Sequence, residues 1–283
     1  MTPRTTTFGL ISDTHIPDRW RALPPSVFDI FDGVDLVLHA GDVGDLDVID
    51  QLSSIAPVVA VHGNDECATA TDVLPFQQMI TAPNHRILLT HGHHPDRAQE
   101  LALRKIDDWT PKLDRLADMA HAVDASILVY GHTHIGWAIH HDGVWIINPG
   151  AIASGNYSMR QKLQTVARLT LAADRDPVVN YFDITHPGQP IERPVDLAAG
   201  FRAAFDTISE SLVTDDLRAN ISWFADHVYA QAPEQVFPIL RQLMFRSLDN
   251  GHARIRITDL VDELLQSPNI PGAIKTHVQD TWG

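Results

Sequence analysis

Three observations on the amino-acid sequence predict a layered α/β fold. Short apolar runs rich in leucine and β-branched residues recur through the first two thirds of the chain. Each run stops at Gly, Asp or Asn, as strands buried on both faces do. Helical patterns fit between several of the runs, and that alternation is the signature of strands covered by helices.

The elements follow in order. Apolar runs occupy 6–12, DLVLHA (35–40), PVVAVHG (57–63), RILLTHG (86–92), SILVYGH (126–132) and VWIINPG (144–150). Between them lie the helical patterns PPSVFDIFDG (24–33), DLDVIDQLSS (45–54) and the long stretch 96–121. Two further runs, LQTVARLTLA (163–172) and PVVNYFDITH (177–186), alternate more clearly and are expected to pair antiparallel. The proline-rich HPGQPIERPVD then reads as a linker. Beyond it apolar residues recur at three- and four-residue spacing, and Pro233 sits where a helix can begin. The expected division is therefore 1–190 for the α/β domain and 195–283 for an appended helical domain. His227, His252 and His277 in that tail form no catalytic constellation.

Composition narrows the function classes. The chain has 283 residues, 44% of them hydrophobic, and no apolar run reaches the roughly 20 residues that cross a bilayer. The N-terminus has no secretory pattern, and the single cysteine, Cys67, excludes an internal disulfide framework. A reducing, cytoplasmic setting is expected. A net charge of −15 argues against nucleic acid as the partner. It does not exclude a small phosphate ester, because bound cations can invert the local field.

Polar residues collect just past the carboxyl ends of the apolar runs, where open α/β sheets bind ligands. SDTH supplies Asp13 and His15, HAGD supplies Asp42, and HGND supplies Asn64 and Asp65. THGHH supplies His91, and GHTH supplies His132 and His134. The donors are carboxylates, imidazoles and one amide, with no thiolate. That mixture suits Mn²⁺, Fe or Zn²⁺ and is too imidazole-rich for Ca²⁺. Seven ligand candidates (Asp13, His15, Asp42, Asn64, His91, His132 and His134) exceed what one ion needs. Two cations sharing a carboxylate explain the surplus. Gly41, Gly63, Gly92 and Gly131 stand beside them, where the chain must turn sharply.

The ordered set D-x-H, G-D, G-N, T-H-G-H and G-H-T-H resembles the calcineurin-like metallophosphoesterases, and within them the small YfcE-type phosphodiesterases. INPGAIA (146–152) is similar to the N-P-G segment that follows the last ligands in that group. The resemblance spans about residues 6–186. It implies a four-layer α-β-β-α sandwich with a dinuclear site at the sheet ends. Asp13, His15 and His134 would hold one ion, Asn64, His91 and His132 the other, and Asp42 would bridge them. The implied activity is hydrolysis of a small phosphate ester, a diester in preference to a monoester. A metal-bridging hydroxide would attack phosphorus, with manganese the favoured ion. Asp42, Asn64, His91 and Asp65 are the residues expected to carry the chemistry.

One position departs from the common pattern. Many family members have histidine after G-N, and here Asp65 stands there. Asp65 could protonate the leaving group only with a raised pKa; the other reading is a structural role. His93, at i+2 from His91, can face the same site. Arg19 and Arg97 are candidates for a substrate phosphate, and Asn156 and Tyr157 for the substrate side. A rival class is an inactive interaction module, like the retromer subunit of the same fold, acting through the helical tail as a docking or homo-oligomerisation surface. Ligand completeness favours the enzyme.

Overall fold

The computed structural model describes residues 5–82, 84–103, 105–192 and 195–283. The N-terminal tetrapeptide, Arg104 in the expected long helix, and Arg193 and Pro194 in the expected linker lie outside the described residues.

The first part of the chain runs β1 (Thr5–Ile11), α1 (Pro25–Phe31), β2 (Leu36–His39), α2 (Asp47–Ser53) and β3 (Val58–Ala60). It continues with α3 (Ala68–Val73), β4 (Gln77–Ala82), β5 (His85–Thr90), α4 (Arg97–Leu103), α5 (Thr110–His121), β6 (Ile127–Val129), β7 (Trp137–His141) and β8 (Val144–Asn148). Then come β9 (Met159–Gln161), β10 (Thr165–Ala172), β11 (Arg175–Asp183), α6 (Phe201–Ile208), β12 (Ser209–Ser211), α7 (Asp215–Phe224), α8 (Pro233–Asp249), α9 (Ile257–Gln266) and α10 (Gly272–Trp282).

Two mixed five-stranded sheets result, ordered β11-β10-β1-β2-β3 and β4-β5-β6-β8-β7, while β9 and β12 form a small separate pair. The alternating strands β10 and β11 pair antiparallel, as expected. Strand periodicity assigns each apolar residue to one face. Ile87 and Leu89 of β5 join Phe8, Leu10 and Leu38 of the other sheet in a core between the sheets. Leu88 faces the opposite way, onto Leu113 and Leu116 of α5. Ile11 and Val37 face α1 and α2, against Val27, Phe31 and Leu52. Helix, sheet, sheet and helix thus stack as the four expected layers.

Register then positions the motifs. β1, β2 and β3 run parallel, with Ile11 opposite His39 and His39 opposite Ala60. β5, β6 and β8 do the same, with Leu89 opposite Val129 and Val129 opposite Ile147. Parallel strands in step finish on one edge, so the polar residues after each strand emerge there.

Several elements differ from expectation. The stretch 96–121 forms two helices rather than one. Strands β4 and β7 carry no continuous apolar run, and the half-exposed alternation of β4 shows why its sequence does not announce it. The expected boundary at 190–195 is also displaced. Two compact units divide as Met1–Gly155 with Gln161–Ser209, and Asn156–Arg160 with Glu210–Gly283. Helix α6 belongs to the first unit because Ala204 and Ile208 are buried in the same core as Trp109 and Trp137.

The second unit is helical. Phe224, Val236, Leu243, Leu260, Leu264 and Val278 form its single apolar core. Pro233 opens α8 at a position where a missing N–H costs nothing. Among the described residues, no helix is long and apolar enough to cross a membrane.

Candidate metal centre

Backbone conformation marks the site before any side chain is considered. Nine described non-glycine residues have positive φ, and five are Asp13, His15, Asp42, His132 and His134. The left-handed region is costly for side chains that carry Cβ, and such strain collects where the surrounding structure enforces a functional geometry. Here the turn after each strand must swing a ligand back over the sheet edge. Backbone bonds clamp these turns together: Asp13 N–H donates to Gly41 O at 3.0 Å, and His15 N–H to Asp42 O at 3.1 Å.

Glycine provides the remaining room. A Cβ at Gly63 would overlap Asp42 Oδ1, and one at Gly41, where φ is +89°, would stand 2.8 Å from His91 Nδ1. Glu66 ties the same turns, its carboxylate accepting N–H bonds from Val43 (2.8 Å), Gly44 (3.0 Å) and Gly63 (3.2 Å).

Five of the seven expected ligands converge. Asp13, His15 and His134 form one buried group whose ligand atoms lie within 4.8 Å of one another, and Asp13, Asp42 and His91 form a second. Asp13 is common to both. Asp42 Oδ2 lies 3.5 Å from His15 Nε2 and 3.3 Å from His91 Nε2, between one imidazole of each expected ion. His132 is adjacent, its ring centroid 5.2 Å from that of His91 and its backbone N–H on the Asp13 carboxylate. Asn64 is exposed on the turn after Gly63.

Hydrogen bonds choose which ring nitrogen faces the site. His91 Nδ1 donates to Ala40 O at 2.8 Å, and His134 Nδ1 donates to Ala153 O at 2.9 Å, so Nε2 of each points inward. His132 is turned the other way. Its Nε2–H donates to the Glu100 carboxylate at 2.7 Å, which leaves the lone pair on Nδ1 to serve as a ligand. Glu100, from α4, is buried and also accepts the His94 N–H at 2.9 Å. Sequence reading missed it, since a glutamate inside a helical pattern looks like a solvated face. Glu66 lies in a loop, where a half-buried carboxylate that ties three backbone N–H groups gives no local sign of its role.

Charge is balanced inside the cluster. Burial alone would raise Asp13, but the His134 and His91 imidazoles hold it at about 2. Burial would likewise raise Asp42, and His91 with His15 drives it far below the carboxylate range. Burial would lower His91, yet Asp42 and Asp13 raise it to about 9. His15 is pushed well below 6.5, first by burial and then by Arg19. Two buried carboxylates thus rely on neighbouring imidazoles for countercharge, the situation a divalent cation would relieve. His91 Nε2 is buried without a hydrogen-bond partner, despite its 3.3 Å approach to Asp42. An orphaned imidazole nitrogen among carboxylates fits a metal ion.

The other candidates sort by position. Arg19 is buried beside the cluster, 3.4 Å from His15 Nε2, and forms an ion pair with exposed Asp65. A guanidinium partner favours the ionised carboxylate, so this geometry lends no support to Asp65 as the leaving-group acid. Arg97 is exposed at the start of α4. His39 is buried and structural: Gly41 N–H donates to its Nδ1, so its Nε2 proton bonds Thr14 Oγ1 at 3.0 Å. Asn148 braces GHTH by donating to Gly131 O, which gives INPGAIA a supporting role. Asn156 and Tyr157 fall in the second unit, where Tyr157 packs against Phe237.

A cluster of buried carboxylates and imidazoles that could hold a metal ion, at the edge of a four-layer sandwich, marks the class of α/β protein with which this chain compares. Residues 7–174 match the family model for the calcineurin-like phosphoesterase superfamily domain, and the chain belongs to that family. It is 33% identical over 143 residues to a probable metallophosphoesterase of Methanothermobacter thermautotrophicus, covering 50% of this chain and 75% of that one. A probable metallophosphoesterase of Methanocaldococcus jannaschii is 34% identical over 145 residues, covering 50% and 66%. Among solved structures, a predicted phosphoesterase of Streptococcus pneumoniae aligns with 23% identity and a TM-score of 0.45, covering 66% of this chain and 97% of the other. Vps29 of Entamoeba histolytica complexed with Zn²⁺ aligns with 24% identity and a TM-score of 0.41, covering 63% and 99%.

Proposed function

We propose that the protein is a dinuclear metal-dependent phosphoesterase that prefers small phosphodiesters to monoesters. The observation that carries this reading is the convergence of Asp13, His15, Asp42, His91 and His134 on one sheet edge, most of them in left-handed backbone. Asp13, His15 and His134 would hold one ion; Asn64, His91 and His132 would hold the other; Asp42 would be shared. Two divalent ions in such a site supply an activated water and neutralise charge developing on the phosphoryl group. The donor set, rich in imidazole and carboxylate and free of thiolate, suits manganese, iron or zinc, and manganese is the ion we favour.

The chain's own residues supply the rest. Ala40 O and Ala153 O fix the tautomers of His91 and His134. Glu100 orients His132 through its outer nitrogen. Arg19 places a buried positive charge beside the cluster, suited to a phosphoryl oxygen, and Asp65 holds that guanidinium. Natural partners are then small phosphate esters rather than nucleic acid, and the helical unit is available for self-association.

The test is hydrolysis of an aryl phosphodiester and the matching monoester by manganese-loaded protein, alongside Asp42→Ala and His91→Ala. Both variants should lose turnover while keeping the wild-type circular dichroism spectrum. Undiminished turnover in either folded variant would refute the site. A metal-free, inactive wild type would favour the interaction-module reading.

A further inference from the structure

A chain of aromatic rings leads from the metal-site imidazoles to the surface. His93 lies 5.5 Å from His91 and 6.1 Å from His132, centroid to centroid. Phe76 meets His93 edge-on at 5.4 Å, with an interplanar angle of 83°. His62, two residues before Asn64, approaches Phe76 from another side at 5.7 Å. Two segments that carry an expected ligand, through His62 and His93, therefore set imidazoles against Phe76 beside His91 and His132.

Two features of this chain call for a ligand. Phe76 is 38% exposed and belongs to none of the apolar cores formed by the described residues. A lone exposed phenylalanine is unremarkable, but this one is held among imidazoles that reach back to His91 and His132. His93 Nδ1 is buried and has no hydrogen-bond partner, a state that buried polar atoms rarely keep without a functional reason. The subsite thus offers a part-exposed ring surface at Phe76 and a buried, unsatisfied nitrogen on the imidazole that neighbours His91 and His132.

We infer that Phe76, His93 and His62 form the leaving-group subsite, and that the substrate is a phosphate ester whose alcohol carries a planar aromatic or heteroaromatic ring. Such a ring stacks on or against Phe76, while His93 Nδ1 meets a polar atom nearer the ester. This rests on the phosphoesterase reading above and names its substrate class.

Calorimetry on the manganese-loaded full chain tests it with three probes: orthophosphate, ribose 5-phosphate and adenosine 5′-monophosphate. The nucleotide should bind roughly tenfold or more tightly than the ribose phosphate, as base–aromatic stacking allows. Phe76→Ala should erase that difference and leave orthophosphate affinity unchanged, while Phe76→Tyr should retain it. Equal binding of nucleotide and sugar phosphate by the wild type would overturn the inference and spare the phosphoesterase reading. So would a parallel loss of orthophosphate affinity in Phe76→Ala, which would make Phe76 a structural prop. Failure of all three probes to bind would bring down both.

Discussion

Both units of the molecule bury apolar cores, but they differ in the polar groups they bury beside them. The first buries Asp13, His15, Arg19, His39, Asp42, His91, Glu100 and His134, whereas Ser247 is the one buried polar side chain among the described residues of the second. Eight of the nine non-glycine positive-φ residues lie in the first unit, and His252 alone lies in the second. The helical unit is organised by apolar burial, which tolerates substitution as long as volume is kept. The sheet-edge cluster instead holds groups whose burial is unfavourable one by one and acceptable only together. That contrast separates a unit held by its apolar core from one that also carries the candidate metal site.

The strongest way to break the contrast is to remove charge from the cluster without removing volume. Asp42→Asn should lower turnover by at least about a hundredfold, the scale lost when a charge-stabilising group is removed from an active site. It should also depress the stability of the metal-free protein, because His91 would lose its buried countercharge. Steady-state kinetics and thermal unfolding check the two effects.

Glu100→Gln keeps the hydrogen bond to His132 and removes the charge. Metal affinity should fall about 10–100-fold, the usual effect of losing a carboxylate behind a ligating imidazole. Competition with a chelator measures it. Leu264→Ala, in the core of the helical unit, should cost about 2–5 kcal/mol of that unit's stability. Metal content should be unchanged, which sharpens the contrast if thermal unfolding and elemental analysis are run together.

A smaller effect separates the units by pH. Burial holds His39 at about 4 and His132 at about 3, so the unfolded chain takes up those protons first. Their contribution to stability is lost as pH falls from 6.5 toward 4. His91 acts in reverse. Burial would lower it, but Asp42 raises it to about 9, so its contribution is complete below 6.5 and is lost as pH rises toward 9. Unfolding of the metal-free protein across pH 4–9 should therefore show the first unit most stable near pH 6.5.

Much of this was legible in the sequence. The fold class and the four layers followed from strand runs and from the motif resemblance, and parallel register explains why those motifs share an edge. Glu100 was hidden because an acidic residue in a helix gives no local sign that it is buried. α6 was assigned to the wrong side of the expected boundary because amphipathic spacing records that a helix has an apolar face, and says nothing of which core receives it. The ion pair of Asp65 with Arg19 joins residues 46 positions apart, and no pattern along the chain encodes such a contact.

The central claim is that the sheet-edge cluster binds divalent metal. Elemental analysis of manganese-reconstituted, dialysed protein tests it most directly, with His91→Ala and Leu264→Ala alongside. Two ions per chain are expected in the wild type and in Leu264→Ala, and fewer in His91→Ala. No bound metal in the wild type, or equal content in His91→Ala, would contradict it.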